Sequence, residues 1–115
     1  MDIAIIGSRE GFDVFKVMAK LYQLINDKDV DLVISGGARG IDKCAESWAR
    51  ENMKPMEIIR PVNPSNKLDY LFRNIEIITK ADKIFAFWDG KSKGTKFVID
   101  YAQARKKEIK VVYGW

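Results

Sequence analysis

Asp31-Leu32-Val33-Ile34-Ser35-Gly36-Gly37-Ala38-Arg39-Gly40-Ile41-Asp42 holds the transition that decides the fold. Its apolar first half is too short for a buried helix and reads as a buried strand. Ser35-Gly36-Gly37 stops that strand, and a helical stripe follows at Ile41, Cys44, Ala45, Trp48 and Ala49. A strand, a bare turn and a helix in this order form the first part of a βαβ unit.

The same alternation runs outward in both directions. Ile3-Ala4-Ile5-Ile6 before Gly7 reads as a first buried strand. From Phe12 to Ile25 the apolar residues 15, 18, 22 and 25, with 14 and 21 beside them, have helical spacing. Met56-Glu57-Ile58-Ile59 is a third strand, stopped by Pro61 and Pro64. Leu68, Leu71, Phe72, Ile75 and Ile78 outline a third helix with Ser65 or Asn66 as N-cap. Lys83 to Phe87 is a fourth strand, and Phe97, Val98, Tyr101, Ala102 and Arg105 outline a fourth helix. Lys110 to Tyr113 closes as a fifth strand. Strands alternating with helices predict an α/β fold, a three-layer α/β/α Rossmann-like domain spanning residues 1–115. The predicted parallel sheet has five strands in the order 3-2-1-4-5.

Composition narrows the chemistry. No histidine is present and Cys44 is the only cysteine, which excludes Ser-His and Cys-His catalysis, an internal disulfide and a cysteine zinc cluster. No cluster requires a metal or cofactor, although Mg²⁺ carried by a bound phosphate stays compatible. The lone cysteine and the absence of a secretory pattern suit the cytoplasm. No apolar run approaches the ~20 residues of a membrane span. The net charge of +4 permits an anionic partner without demanding nucleic acid.

In the predicted order, strands 2, 1 and 4 are neighbours, and ligands of such sheets bind beyond the carboxyl ends where the winding reverses. Three small-residue turns meet there: Gly7-Ser8-Arg9, Ser35 to Gly40, and Asp89-Gly90-Lys91-Ser92-Lys93-Gly94-Thr95. Glycines admit a ligand close to the backbone, and helix N-termini favour anions. Arg9, Arg39, Lys91 and Lys93 would surround the charge. Taken singly, each has an ordinary structural role: a tight turn, a solvated lysine, or a rim aromatic for Trp88. Trp48 and Cys44 read as core, and Trp115 as an edge cover or subunit contact. The dinucleotide fingerprint G-x-G-x-x-G and the Walker A spacing are both missing, which disfavours conventional NAD and P-loop chemistry.

Together, Gly7-Ser8-Arg9, Ser35 to Asp42, Arg73-Asn74 and Phe87 to Thr95 resemble the SLOG superfamily, which joins the Smf/DprA proteins to the LOG phosphoribohydrolases. The tryptophan-bearing fourth turn is similar to the small YspA-like (cpYpsA-related) branch. The resemblance implies a Rossmann-like fold whose ligand is a nucleotide, a nucleotide derivative or single-stranded nucleic acid. It implies a site formed by Gly7, Ser8 and Arg9, by Ser35, Gly36, Gly37, Arg39, Gly40 and Asp42, and by Arg73 and Asn74. Trp88, Lys91, Ser92, Lys93, Gly94 and Thr95 complete it. The leading expectation is therefore a nucleotide-binding domain of sensor or effector type. The alternatives are LOG-like cleavage of the N-glycosidic bond of a nucleoside monophosphate and DprA-like binding of single-stranded DNA. Where the phosphoribohydrolases carry a catalytic glutamate, this chain has Val98. Asp100, two residues on, is rotated by about 200° on a helix and faces elsewhere. Arg73 and Asp42 are the catalytic candidates that remain, with Glu76 and Asp89 as further acids. A homodimer stays open.

Overall fold

The computed structural model describes residues 1–113, so the expectation for Trp115 lies outside the described residues. Five strands alternate with four helices: β1 (Asp2–Gly7), α1 (Val14–Leu24), β2 (Leu32–Ser35), α2 (Ile41–Glu51), β3 (Met56–Ile58), α3 (Lys67–Lys80), β4 (Lys83–Phe87), α4 (Lys93–Ala104) and β5 (Glu108–Val112). A short 3-10 turn, Asp27–Asp29, leads into β2 and was not visible in the apolar pattern. All pairings are parallel, in the order β3-β2-β1-β4-β5. This is the three-layer Rossmann-like architecture that the alternation predicts.

The strand pleat divides the core in two. Ile3, Ile5, Val33, Phe85 and Phe87 pack with α1 and α2, while Ala4, Ile6, Ile34, Ile84 and Ala86 pack with α3 and α4. Successive side chains of one strand point to opposite faces, so a strand covered on both sides must be apolar throughout. The central strand β1 is apolar from Ile3 to Ile6 for that reason. Trp48 of α2, with no exposed surface, is the largest fully buried side chain.

Two helices are rotated from the faces their spacing suggests. On α1 the buried residues are Val17 and Leu21, whereas Phe15 is 85% exposed and Tyr22 is also exposed. On α3 the buried residues are Arg73, Ile77 and Ile78, whereas Leu68 and Phe72 face solvent. Both helices carry more apolar residues than one face accommodates, so periodicity alone leaves the rotation undetermined. The faces turned to the sheet bury Val17 and Leu21 on α1 and Ile77 and Ile78 on α3, each such side chain contributing about 1.5–3 kcal/mol.

Capping also differs between helices. The Asp13 carboxylate accepts from Phe15 N at 2.9 Å, and the Asn66 side chain accepts from Leu68 N at 2.8 Å. The N-caps of α2 and α4, Gly40 and Ser92, make no such side-chain bond. These two helices begin at the carboxyl edge of β2 and β4.

Candidate functional site

A crevice of about 470 Å³ opens at that edge, where β1 separates the two winding directions. Its walls come from four elements. The β1 turn contributes Gly7, Ser8, Arg9 and Glu10, and the β2 turn with α2 contributes Gly36, Ala38 and Asp42. The third helix contributes Tyr70, Arg73 and Asn74, and the β4 turn with α4 contributes Asp89, Ser92, Gly94, Thr95 and Val98.

The glycines of the first two turns are occupied by the protein itself. A Cβ on Gly40, whose φ is +84°, would lie 2.4 Å from Ser8 O. Gly40 thus lets the β1 and β2 turns lock together, and Ile41 N donates to Ser8 O at 3.0 Å. A Cβ on Gly36 would lie 2.5 Å from Arg73 Nη1, and one on Gly7 would lie 2.6 Å from Phe87 O. Gly94 differs: it lines the crevice and its missing Cβ faces open space.

The backbone donors divide the same way. In the β2 turn, Gly37 N donates to Ser35 Oγ at 3.1 Å and Ala38 N to the Asp42 carboxylate at 3.0 Å. In the β4 turn, Asp89 accepts from Lys91 N at 2.8 Å and Ser92 N at 2.7 Å. These two bonds hold the Asp89 carboxyl below its ordinary range. The α4 residues that follow, Gly94 and Thr95, present their helix N-terminus to the crevice, the end at which orphan N–H groups and the dipole favour an anion. Ser8 also lines the crevice and is only 6% exposed, and its hydroxyl lies close enough to help hold the Asp89 carboxylate ionised.

Arg73 and Asp42 form the buried centre of the site. Arg73 is 8% exposed; Nη1 donates to Gly36 O at 2.7 Å and Nε donates to Asn74 Oδ1 at 2.8 Å. Burial lowers its pKa, opposed by the Asp42 charge, yet a guanidinium remains protonated. Burial pushes the Asp42 carboxyl up to about 6, against the Ala38 N–H bond and the nearby Arg73 and Arg9. Tyr70 lies between the two arginines, with Arg9 Cζ 5.4 Å and Arg73 Cζ 5.3 Å from its ring centroid. Such distances give cation–π attraction.

Several expected residues stand elsewhere. Lys91 and Lys93 are solvent-exposed and line neither this crevice nor the cavity beside it. Trp88 is also absent from both linings; its Nε1–H donates to Ser92 O at 3.0 Å, and its ring meets Tyr113 at 6.0 Å. It braces the β4 turn from behind. Ser35 is fully buried and serves Gly37, and Arg39 is exposed against Glu10 at 3.6 Å. Of the further acids, Glu76 is exposed beside Lys80 and Asp89 is in the crevice lining; Asp100 pairs with Lys96 at 2.8 Å. Among the described residues no group of His, Cys, Asp and Glu could hold a metal ion, and no helix is long and apolar enough to cross a membrane.

Tyr70 and Arg60 were not foreseen. Arg60 follows β3, and its Nη1 lies 3.4 Å from Gly37 O. The strand order carried a usable signal, because it places the carboxyl end of β3 beside that of β2. Tyr70 sits one turn before Arg73 on α3, the spacing that stacks helical side chains on one face.

Two solved structures share the fold. DNA processing protein A from Streptococcus pneumoniae superposes with a TM-score of 0.83 at 17% identity, over 99% of this chain and 50% of that one. DNA processing protein A from Helicobacter pylori, described for its single-stranded DNA binding mode, gives 0.75 at 21% identity, over 96% of this chain and 64% of that one. The chain thus spans about half to two-thirds of the length of these structures. Among curated proteins, none matches the sequence. The profile of the YAcAr family matches residues 1–62, which carry the β1 and β2 turns and the strand beyond them, and the chain therefore belongs to the YspA, cpYpsA-related SLOG family.

Proposed function

We propose that the crevice binds a nucleotide or nucleotide-derived ligand, with a phosphate against the N-terminus of α4. The carrying observation is the uncapped helix start at Gly94 and Thr95, which opens on a crevice that Ser8, Arg9 and Arg73 also line. The volume lies within the range of small-molecule sites. Three carboxylates border the crevice, and each is moderated. Glu10 is paired with Arg39, Asp89 is held by two backbone N–H groups, and Asp42 accepts from Ala38 N and feels the charges of Arg73 and Arg9. Arg9 and Arg73 supply the positive charge.

Binding rather than turnover is the reading we favour. Val98 lines the crevice and is buried at the position where the phosphoribohydrolases carry glutamate. Arg73 already holds Gly36, Ile59 and Asn74 through Nη1 and Nε, and Asp42 holds Ala38 N, so both have structural roles.

The test is a thermal-shift screen across nucleotides and their derivatives. A ligand at about 100 times its dissociation constant stabilises by about 2.7 kcal/mol. No shift with any of them at millimolar concentration overturns the proposal. Release of free base from a panel of monophosphates would replace it with the hydrolase reading.

A further inference from the structure

A second cavity of about 410 Å³ adjoins the crevice. The two share Arg9, Gly36, Ala38, Tyr70 and Arg73, so they meet along the Tyr70 ring and its two arginines. Beyond that neck the annex is lined by Arg39 and Arg60 and by an apolar wall of Pro61, Val62 and Pro64. It contains four arginines and no acidic lining residue. Arg39 has one exposed ion pair, and Arg9 and Arg60 have none among the described residues.

Cations gathered in one concavity repel each other, and an anion relieves that repulsion. Guanidinium groups offer forked donors that match phosphate oxygens. The adjoining wall is uncharged, and Val62 within it is 95% exposed. An anion site with an apolar border fits a phosphate attached to a flat organic group.

We propose that this annex takes a second anionic group of the ligand bound in the crevice. The ligand is then a nucleotide derivative with two phosphates joined as a diphosphate or through a phosphodiester, and not a simple monophosphate. Its first phosphate lies at α4, and its second lies among Arg9, Arg39 and Arg60. The inference rests on the proposed use of the crevice.

Titration calorimetry on the full chain tests it with four probes: AMP, ADP, the dinucleotide pApA and a ten-residue oligothymidylate. ADP or pApA is expected to bind at least about tenfold more tightly than AMP, the gain of one charge-assisted contact. Arg60→Ala should abolish that gain. Arg60 is exposed and makes one long hydrogen bond, so the variant is expected to fold. AMP binding with no gain for either two-phosphate probe overturns the annex alone. Equal loss for AMP and pApA in Arg60→Ala also overturns it, since Arg60 then acts only as diffuse charge. Silence from all four probes removes the crevice reading and the annex together. An oligothymidylate that binds far more tightly than pApA, with steep salt dependence, would make the annex a strand path and overturn the small-ligand assignment.

Discussion

Arg73 Nη1 donates to the carbonyl oxygen of Gly36 at 2.7 Å, in space that any side chain on Gly36 would fill. The glycine at the end of β2 and the arginine in the middle of α3 are therefore one structural unit. Gly36→Ala should destabilise by about 2 kcal/mol through overpacking. In an Arg73→Ala background the same change should cost less than ~1 kcal/mol, because the obstructing guanidinium is gone. Urea denaturation of the double-mutant cycle measures the coupling. Additive losses would show that the two residues do not compete for this space.

Gly40 and Gly94 make opposite predictions. Gly40→Ala combines a positive φ with a contact to Ser8 O, so it should destabilise the chain clearly. Gly94→Ala meets open space in the first turn of α4, where alanine is the better helix former by up to ~1 kcal/mol. It should melt at or above the wild-type temperature and yet lose affinity for any nucleotide that binds. A Gly94→Ala protein with normal affinity would separate α4 from the ligand.

Asp42 makes stability depend on pH in an unusual direction. Its carboxyl is raised from 3.8 to about 6 by burial, so between those values the folded chain holds a proton that the unfolded chain has released. This group's contribution therefore grows as pH falls from about 6 towards 4 and is lost as pH rises through 6. Asp42→Asn keeps an oxygen for Ala38 N and removes the buried charge. It should flatten that part of the profile and stabilise at pH 7 by on the order of 1–2 kcal/mol. Chemical denaturation at half-unit pH intervals reads this directly; an unchanged slope between pH 4 and 6 would contradict it.

Trp88 should act on the crevice without touching it. Trp88→Phe removes the bond to Ser92 O and should cost about 1 kcal/mol. Hydrogen exchange at Lys96, whose N–H donates to Ser92 O at 3.1 Å, should accelerate while exchange in β1 stays constant. Equal acceleration in both would mean global destabilisation instead of a loosened turn.

The sheet and its order were legible because the strands are short apolar runs bounded by glycine or proline, and parallel crossovers have one hand. The cap of α3 was legible to within one residue, as Ser65 or Asn66, and Asn66 fills it. The rotations of α1 and α3 were not, since Phe15 and Leu68 extend apolar stripes that the sheet cannot cover. At the candidate site, the sequence located the converging turns, but it assigned their glycines one shared purpose. Gly36 and Gly40 are bare because Arg73 and Ser8 need the room, whereas Gly94 is bare towards solvent. Such distinctions depend on contacts between distant segments, which local composition does not encode. Lys91 and Lys93 were placed in the site by the converging turns and the family resemblance, and they stand exposed at the β4 turn, in the lining of neither cavity.

The stitching of the β2 turn gives the crevice one stiff bank and one yielding bank. On the stiff bank Ser35, Asp42 and Ser8 already hold the N–H groups of Gly37, Ala38 and Ile41, so a guest finds fixed contours there. On the yielding bank the start of α4 still has bonds to give. Chemical variation among guests should therefore be tolerated where they face α4 and penalised where they press against Gly36 and Asp42.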